Sequence, residues 1–329
     1  MKAKNFFHSA VILAGGFGTR LKKAGLKLPK PMVPVLGLPV LEHQIKLCKL
    51  HDFNEIYLIL HHEAEIIKNY FGDGSNWGVE IKYCLEESPK GTAGAISEFI
   101  DFFPEEFLVL YGDTYLEVDL RKMMNFHLDF KPTASVMVHP NSHPDDSDII
   151  EIDPKSNLVK DIFPYPRNPD DLVRNNVNAA LYCFNKNKIS KHLKKKVIYD
   201  LAKDLFPKIV KGKGKILTYK TFEYIKDMGT PDRLLKVEDD LKKGVPKKLS
   251  LNKKRIAVFL DRDGSINEER GLISNPDQLI LISDAATSIR RLNEAGIIVI
   301  CVTNQPIIAR GEISETELER IHAKLDMDL

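Results

Sequence analysis

Short apolar runs alternate with amphipathic stretches along the first 130 residues. Ala10–Ala14 (AVILA), Glu55–Leu60 (EIYLIL), Val79–Leu85 (VEIKYCL) and Glu106–Tyr111 (EFLVLY) have the composition of buried strands. The segments PVLEHQIKLCKLHDF and TAGAISEFIDFF between them have helical patterns. Such alternation predicts an α/β, Rossmann-like domain whose sheet is mixed but mainly parallel. From Thr133 to Phe184 the runs shorten, and TASVMVH and VNAALYCF predict an antiparallel addition. A second start follows the lysine-rich stretch Asp239–Arg255, whose Gly244 and Pro246 suggest a linker. Beyond it, Ile256–Leu260 predicts a strand ending in carboxylates, followed by a helix (AATSIRRLNEAG) and a strand (IIVICVTNQ). A last helix opens at the capping box Ser314–Glu317. The expected division is a domain over 1–243, a linker over 244–254 and a smaller, incomplete α/β domain over 255–329, with no internal repeat.

Composition narrows the picture. The 329 residues suggest two cores rather than one. Hydrophobic content of 43% and charged content of 29% are those of an ordinary globular protein. A net charge of +2, from 48 basic and 46 acidic residues, gives no electrostatic case for nucleic-acid or membrane binding. The basic runs Lys191–Lys196 and Lys211–Lys215 read as solvated surface. Cys48, Cys84, Cys183 and Cys301 are scattered through apolar runs without a CxxC pair, which predicts buried reduced thiols rather than a zinc site. No stretch reaches 18 apolar residues and no leader pattern opens the chain, so a soluble cytoplasmic protein is expected. A homo-oligomer is left open.

The first strand runs into a glycine loop, AGGFGTRL, and a lysine lies between Pro29 and Pro31 ten residues after Arg20. Glycines at Gly15, Gly16 and Gly18 let backbone N–H groups approach an anion. The loop is not a dinucleotide fingerprint, because Leu21 stands at the third glycine position, and no Walker string occurs. The longer string LAGGFGTRL followed by LPKPMVPVLGLPVLEH resembles the sugar-1-phosphate nucleotidyltransferase family. KGTAGA (Lys90–Ala95), LYGDTYL (Leu110–Leu116), VNAALYCF (Val177–Phe184) and IKDMGTPDRL (Ile225–Leu234) follow in the family's order, so the resemblance covers about residues 8–245.

That resemblance implies roles. Leu13, Ala14, Gly15, Gly16, Gly18 and Thr19 would wrap the nucleotide, and Gly91, Thr92 and Gly94 would face its base. Arg20 would hold the triphosphate, and Lys30 would bridge the attacking phosphate and the α-phosphate. Asp113 and Asp227 would hold Mg²⁺, an ion that takes one or two carboxylates plus phosphate oxygens. Gly112 and Asn178 would touch the sugar. Standing alone, Asp113 reads equally as a turn cap, Asn178 as a backbone partner and Trp77 as packing. Many family members carry Glu-Lys-Pro between the middle strands. Here Pro164 and Tyr165 fall at the Glu and Lys places, so the sugar pocket is expected to be built differently.

FLDRDGSIN (Phe259–Asn267) and VTNQPIIARG (Val302–Gly311) resemble the haloacid dehalogenase phosphatases, in the histidinol-phosphate and heptose-bisphosphate branch. By that resemblance Asp261 is the nucleophile and Asp263 the acid–base, both near a metal, with Thr303 and Asn304 on the phosphate. The lysine, later acidic ligand and further strands of that family are not found before Leu329, so this half is expected to be inactive. The reactions are consecutive: a phosphatase makes a sugar 1-phosphate that a transferase activates. The expected substrates are therefore an NTP, GTP first, and D-glycero-D-manno-heptose 1-phosphate, with mannose 1-phosphate and other hexose phosphates open. A non-catalytic regulatory subunit is the rival reading.

Overall fold

The computed structural model describes residues 8–16, 28–168, 171–252 and 254–329. Four parallel strands form the centre: β1 (His8–Leu13), β2 (Phe53–Leu60), β3 (Glu80–Leu85) and β4 (Glu106–Tyr111), in the order β3-β2-β1-β4. The hydrophobic runs are continuous because both faces of the sheet are covered. Ala10 and Ile12 face Leu41, Ile45 and Cys48 of helix α1 (Val40–Leu50). Val11 faces the opposite layer, with Ala93, Ala95 and Ile96 of helix α2 (Gly91–Phe99). Each of these strand residues is fully buried, a stabilisation of ~1.5–3 kcal/mol for every large aliphatic side chain.

After β4 come β5 (Thr114–Glu117), helix α3 (Leu120–Phe130), β6 (Ala134–His139), β7 (Ile149–Ile152), β8 (Val159–Phe163) and β9 (Val177–Asn185). β9 runs antiparallel to β4 and β6, so the expected antiparallel addition extends the parallel core. With β10 (Ile216–Lys220) beside β6, the sheet has nine strands. β11 (Tyr224–Asp227) pairs with β5 in a separate ribbon. Helix α4 (Pro231–Lys242) follows, opened by Thr230, whose hydroxyl accepts from the N–H of Arg233.

The stretch 244–254 is only in part an open joint. Val245–Leu249 forms a short helix, α5, with Pro246 buried and Val245 and Leu249 packed against Val35, Val40 and Met228. Proline at an early helical position and apolar residues four apart explain the turn. Leu251 N–H then donates to Glu223.

The C-terminal unit carries β12 (Ala257–Leu260) and β13 (Ile298–Cys301), parallel and alone as a pair, with helices α6 (Ala285–Glu294) and α7 (Glu315–Asp328). Its core gathers Ile266, Ile273, Leu279, Ile321 and Leu325. As expected, Ser314 caps α7 through the N–H of Glu317. Cys48, Cys84 and Cys183 are buried and unpaired, but Cys301 is exposed, correcting the expectation for that thiol. Among the described residues its strand pairs only with β12, so its apolar sequence is not matched by burial. Trp77 packs on Tyr70 and Phe71. Among the described residues, no helix is long and apolar enough to cross a membrane.

Candidate active site

The chain leaves β1 for β2 and β3, then returns to β4 on the other side of β1. At such a reversal the crevice beyond the strand C-termini is where open α/β sheets bind ligands. Leu13-Ala14-Gly15-Gly16 leaves β1 there, and Gly112-Asp113 leaves β4. Gly112 N–H donates to Leu13 O at 2.9 Å, and a side chain at Gly112 would lie 3.1 Å from the Ala14 Cβ. Glycine at this position therefore serves the close approach of two strand ends, and Gly112 does not line either cavity described below.

A cleft of about 230 Å³ opens here, lined by Leu13, Ala14, Gly15, Gly16, Lys30, Glu86, Gly91, Thr92 and Asp113 among others. Lys30 follows Pro29, and its ammonium bonds the Asp113 carboxylate at 2.8 Å, joining the lysine of the K-P pair to the aspartate of YGD. Glu86, at the end of β3, accepts from the N–H of Lys90, and burial pushes its carboxyl above the ordinary value. Gly91 has φ +72°, and a side chain there would strike Tyr199 O at 2.4 Å; one at Gly94 would meet Val197 O at 2.8 Å. Both glycines admit the 197–200 segment, and Tyr199 O takes the N–H groups of Ala93 and Gly94. Gly94 lies off the cleft lining. The Thr92 hydroxyl donates to Asp200 at 2.6 Å and accepts from Leu201 N–H.

A second cavity of about 220 Å³ shares Tyr111 with the first and is lined by Asn178, Asp227, Asn141, His143, Lys203 and Lys226, with His139 and Asp148. The Asn178 side-chain oxygen accepts from Ala180 N–H, where φ is +53° and β9 is interrupted. Burial lowers the His139 ring to about 4 and raises the Asp148 carboxyl. Asp227 lies opposite Thr114, and Met228 N–H bonds Asp113 O, so β11 brings the 227–228 backbone beside 113–114. Arg233 holds both Asp227 oxygens, at 2.7 and 2.8 Å, and also binds Asp146.

Among the described residues no group of three or more His, Cys, Asp or Glu side chains forms a metal-holding cluster. The Asp113 and Asp227 carboxylates, each matched to a cation, are of the chemical type that holds Mg²⁺ together with phosphate oxygens. Arg20, Gly18 and Thr19 lie outside the described residues. Sequence reading missed Glu86, Lys203, Lys226 and Arg233. For Glu86 there was a usable signal, a charge ending an apolar strand just before KGTAGA.

In the C-terminal unit, Asp261 and Asp263 follow β12 as expected. Asp261 is exposed and accepts from Arg262 N–H. Asp263 is engaged by Arg262, Asn267 and Gln305. Burial opposes ionisation of Asp263, but those three donors outweigh it and hold the carboxyl below its usual range. Thr303 accepts from the same Gln305, and Asn304 adjoins it.

The sequence matches the model of the nucleotidyl transferase family over residues 9–244, and the chain belongs to that family. It is 28% identical over 238 residues to a mannose-1-phosphate guanylyltransferase of Mycobacterium tuberculosis, a match covering 72% of this chain and 65% of that relative. It is 43% identical over 114 residues to a D-glycero-alpha-D-manno-heptose 1-phosphate guanylyltransferase of Campylobacter jejuni, over 35% of this chain and 51% of the relative. The chain thus spans less than two thirds of the length of these curated relatives. The crystal structure of HddC from Yersinia pseudotuberculosis complexed with GMP-PN is similar with a TM-score of 0.60 and 26% identity, covering 71% of this chain and 99% of that one.

Proposed function

We propose that the protein transfers a guanylyl group from GTP to a sugar 1-phosphate, with D-glycero-D-manno-heptose 1-phosphate as the acceptor. The Lys30–Asp113 pair carries this reading, because it stands at the strand reversal between a glycine-lined half and a polar half of one cleft. A sugar phosphate oxygen attacks the α-phosphorus of GTP. As that P–O bond forms, the bond from the α-phosphorus to the β-phosphate oxygen breaks, and its electron pair leaves with pyrophosphate. No proton needs to move, so the protein's task is positioning and charge neutralisation. Lys30 offsets charge on the phosphates that meet, and Arg20 holds the triphosphate. Asp113 and Asp227 would hold Mg²⁺, which supplies further neutralisation of phosphate charge.

Leu13, Ala14, Gly15, Gly16, Gly18 and Thr19 wrap the nucleotide, with Gly91 and Thr92 along its base and Gly94 keeping that wall close-packed. Glu86 reads the base: guanine presents an N–H and an amino group on one edge, both donors to a carboxylate. Gly112 lets the ends of β1 and β4 close on each other next to the acceptor side, and Asn178 touches the sugar. With Tyr165 in place of the expected lysine, Lys203 and Lys226 supply the acceptor side with positive charge. Both line the second cavity, with Asp148 near Lys203 and Asp227 and Asp240 near Lys226. The heptose relative and the GMP-PN complex support the choice of substrates. The transferase unit spans 1–243, and 255–329 is a phosphatase-derived unit.

The base assignment is tested by Glu86→Gln. An amide offers one acceptor where the carboxylate offers two. The preference for GTP over UTP should fall about tenfold, the scale of one charge-assisted hydrogen bond. An unchanged preference would remove Glu86 from base reading.

A further inference from the structure

The residues that line the second cavity all belong to the nucleotidyltransferase unit, but one wall is steadied by contacts from outside it. That wall is the segment 141–147, which supplies Asn141, His143 and Ser147. That segment has little regular structure of its own beyond one short turn, Pro144–Asp146. Arg167 donates to the carbonyls of Pro144 and Ser147, at 2.7 and 3.0 Å, and two further clamps flank the segment. On one side the Asn175 side chain brackets the backbone of Asn141, accepting from its N–H at 3.0 Å and donating to its carbonyl at 2.9 Å. On the other side Asp146 and the His143 ring meet Arg233, the residue that holds Asp227.

The Asn175 clamp is anchored by the C-terminal unit. Asp326, on the last turn of α7, accepts from Arg174 Nε at 2.6 Å and from Asn175 N–H at 3.3 Å. Glu319, two turns earlier on the same helix, approaches Arg174 at 3.4 Å. A third contact, Lys155 to Glu315 at 3.4 Å, ties the start of α7 to the same side of the transferase. Asp326 thus leads through Arg174 and Asn175 to Asn141 and the cavity wall, and onward through Asp146 and Arg233 to Asp227.

We infer that docking of α7 through Asp326 onto Arg174 and Asn175 positions the acceptor wall of the transferase cleft, so the C-terminal unit tunes sugar phosphate binding without touching the substrate. Asp326, Arg174 and Asn175 are positioning residues in this scheme. Among the described residues the nucleotide half takes its support from within the transferase unit, where Leu13–Gly16, Glu86 and Gly91 follow or belong to β1, β3 and α2. The effect should therefore be confined to one substrate. An ion pair this exposed contributes little stability by itself, so loss of the pair should leave the fold intact and loosen the wall.

The inference rests on the assignment of the second cavity to the acceptor, and its test separates the two. In the full chain, Arg174→Glu should repel Asp326 and Glu319, raise KM for the sugar 1-phosphate by about threefold to tenfold, and leave KM for GTP unchanged. Asp326→Arg should do the same, and the double exchange should recover most of the loss. Amide hydrogen exchange over 141–147 should speed up in each single variant and slow again in the double, whether or not turnover is seen. Faster exchange with both KM values unmoved would keep the coupling and remove the acceptor assignment. Unchanged exchange over 141–147 in both single variants, or equal rises in the two KM values, would overturn the inference.

Discussion

β1 and β12 begin the same way: a short apolar strand runs beside a parallel neighbour and ends in the residues read as chemical. Their surroundings differ. β1 sits inside nine strands with a helical layer on each face, and Ala10, Val11 and Ile12 are fully buried. Among the described residues β12 pairs only with β13, and Phe259 on it and Ile256 just before it are 67% and 71% exposed. The groups that follow reflect this. After β1 and β4, Lys30 and Asp113 meet in a cleft that is also lined by Gly15, Gly16 and Gly91. After β12, Asp263 is tied up by Arg262, Asn267 and Gln305, and Asp261 faces solvent. A strand ending in a carboxylate is therefore only half of a site. The other half is the sheet around it, which excludes water and fixes the partners.

The largest difference between the two regions should appear in stability. Phe107 on β4 is buried against Phe103 and Phe184. Phe107→Ala should cost ~3–5 kcal/mol in denaturant unfolding, whereas Phe259→Ala on β12 should stay within ~0.5 kcal/mol. Comparable losses would mean that β12 is covered in solution and would erase the contrast.

Next in size is the effect on turnover. Asp113→Asn and Asp227→Asn should each lower guanylyl transfer by at least ~10²-fold, the scale of one preorganised electrostatic group. Near-normal rates in both would withdraw these carboxylates from the metal site. The smallest effect belongs to β12. Asp261→Asn should leave transfer unchanged, and phosphate release from heptose 1,7-bisphosphate should be absent before and after the change. Release by the unaltered chain, abolished by Asp261→Asn, would show that the hydrogen-bonded Asp263 still serves as an acid–base.

Hydrophobic patterning was enough to foresee the parallel core, because strands covered on both faces must be apolar throughout. The residues that follow those strands were legible for the same reason: chemistry at a strand's end sits next in sequence to the run that announces it. Residues brought in from a distance left no such trace. Thr92 and Asp200 are 108 positions apart and Asn141 and Asn175 are 34 apart, and neither pairing has a local pattern. The 244–254 stretch looked open because lysine, glycine and proline dominate its composition. Val245 and Leu249, spaced one turn apart, were the local sign of its helix.

In the function proposed above, the cleft around Lys30 and Asp113 joins GTP to a sugar 1-phosphate. Pyrophosphate release should be measured for the full chain with Mg²⁺ and each common NTP, against D-glycero-D-manno-heptose 1-phosphate, mannose 1-phosphate and glucose 1-phosphate. Release should need both substrates, be fastest with GTP and the heptose phosphate, and be lost in Lys30→Ala. No release with any pairing, or release unaffected by Lys30→Ala, would contradict the proposed function.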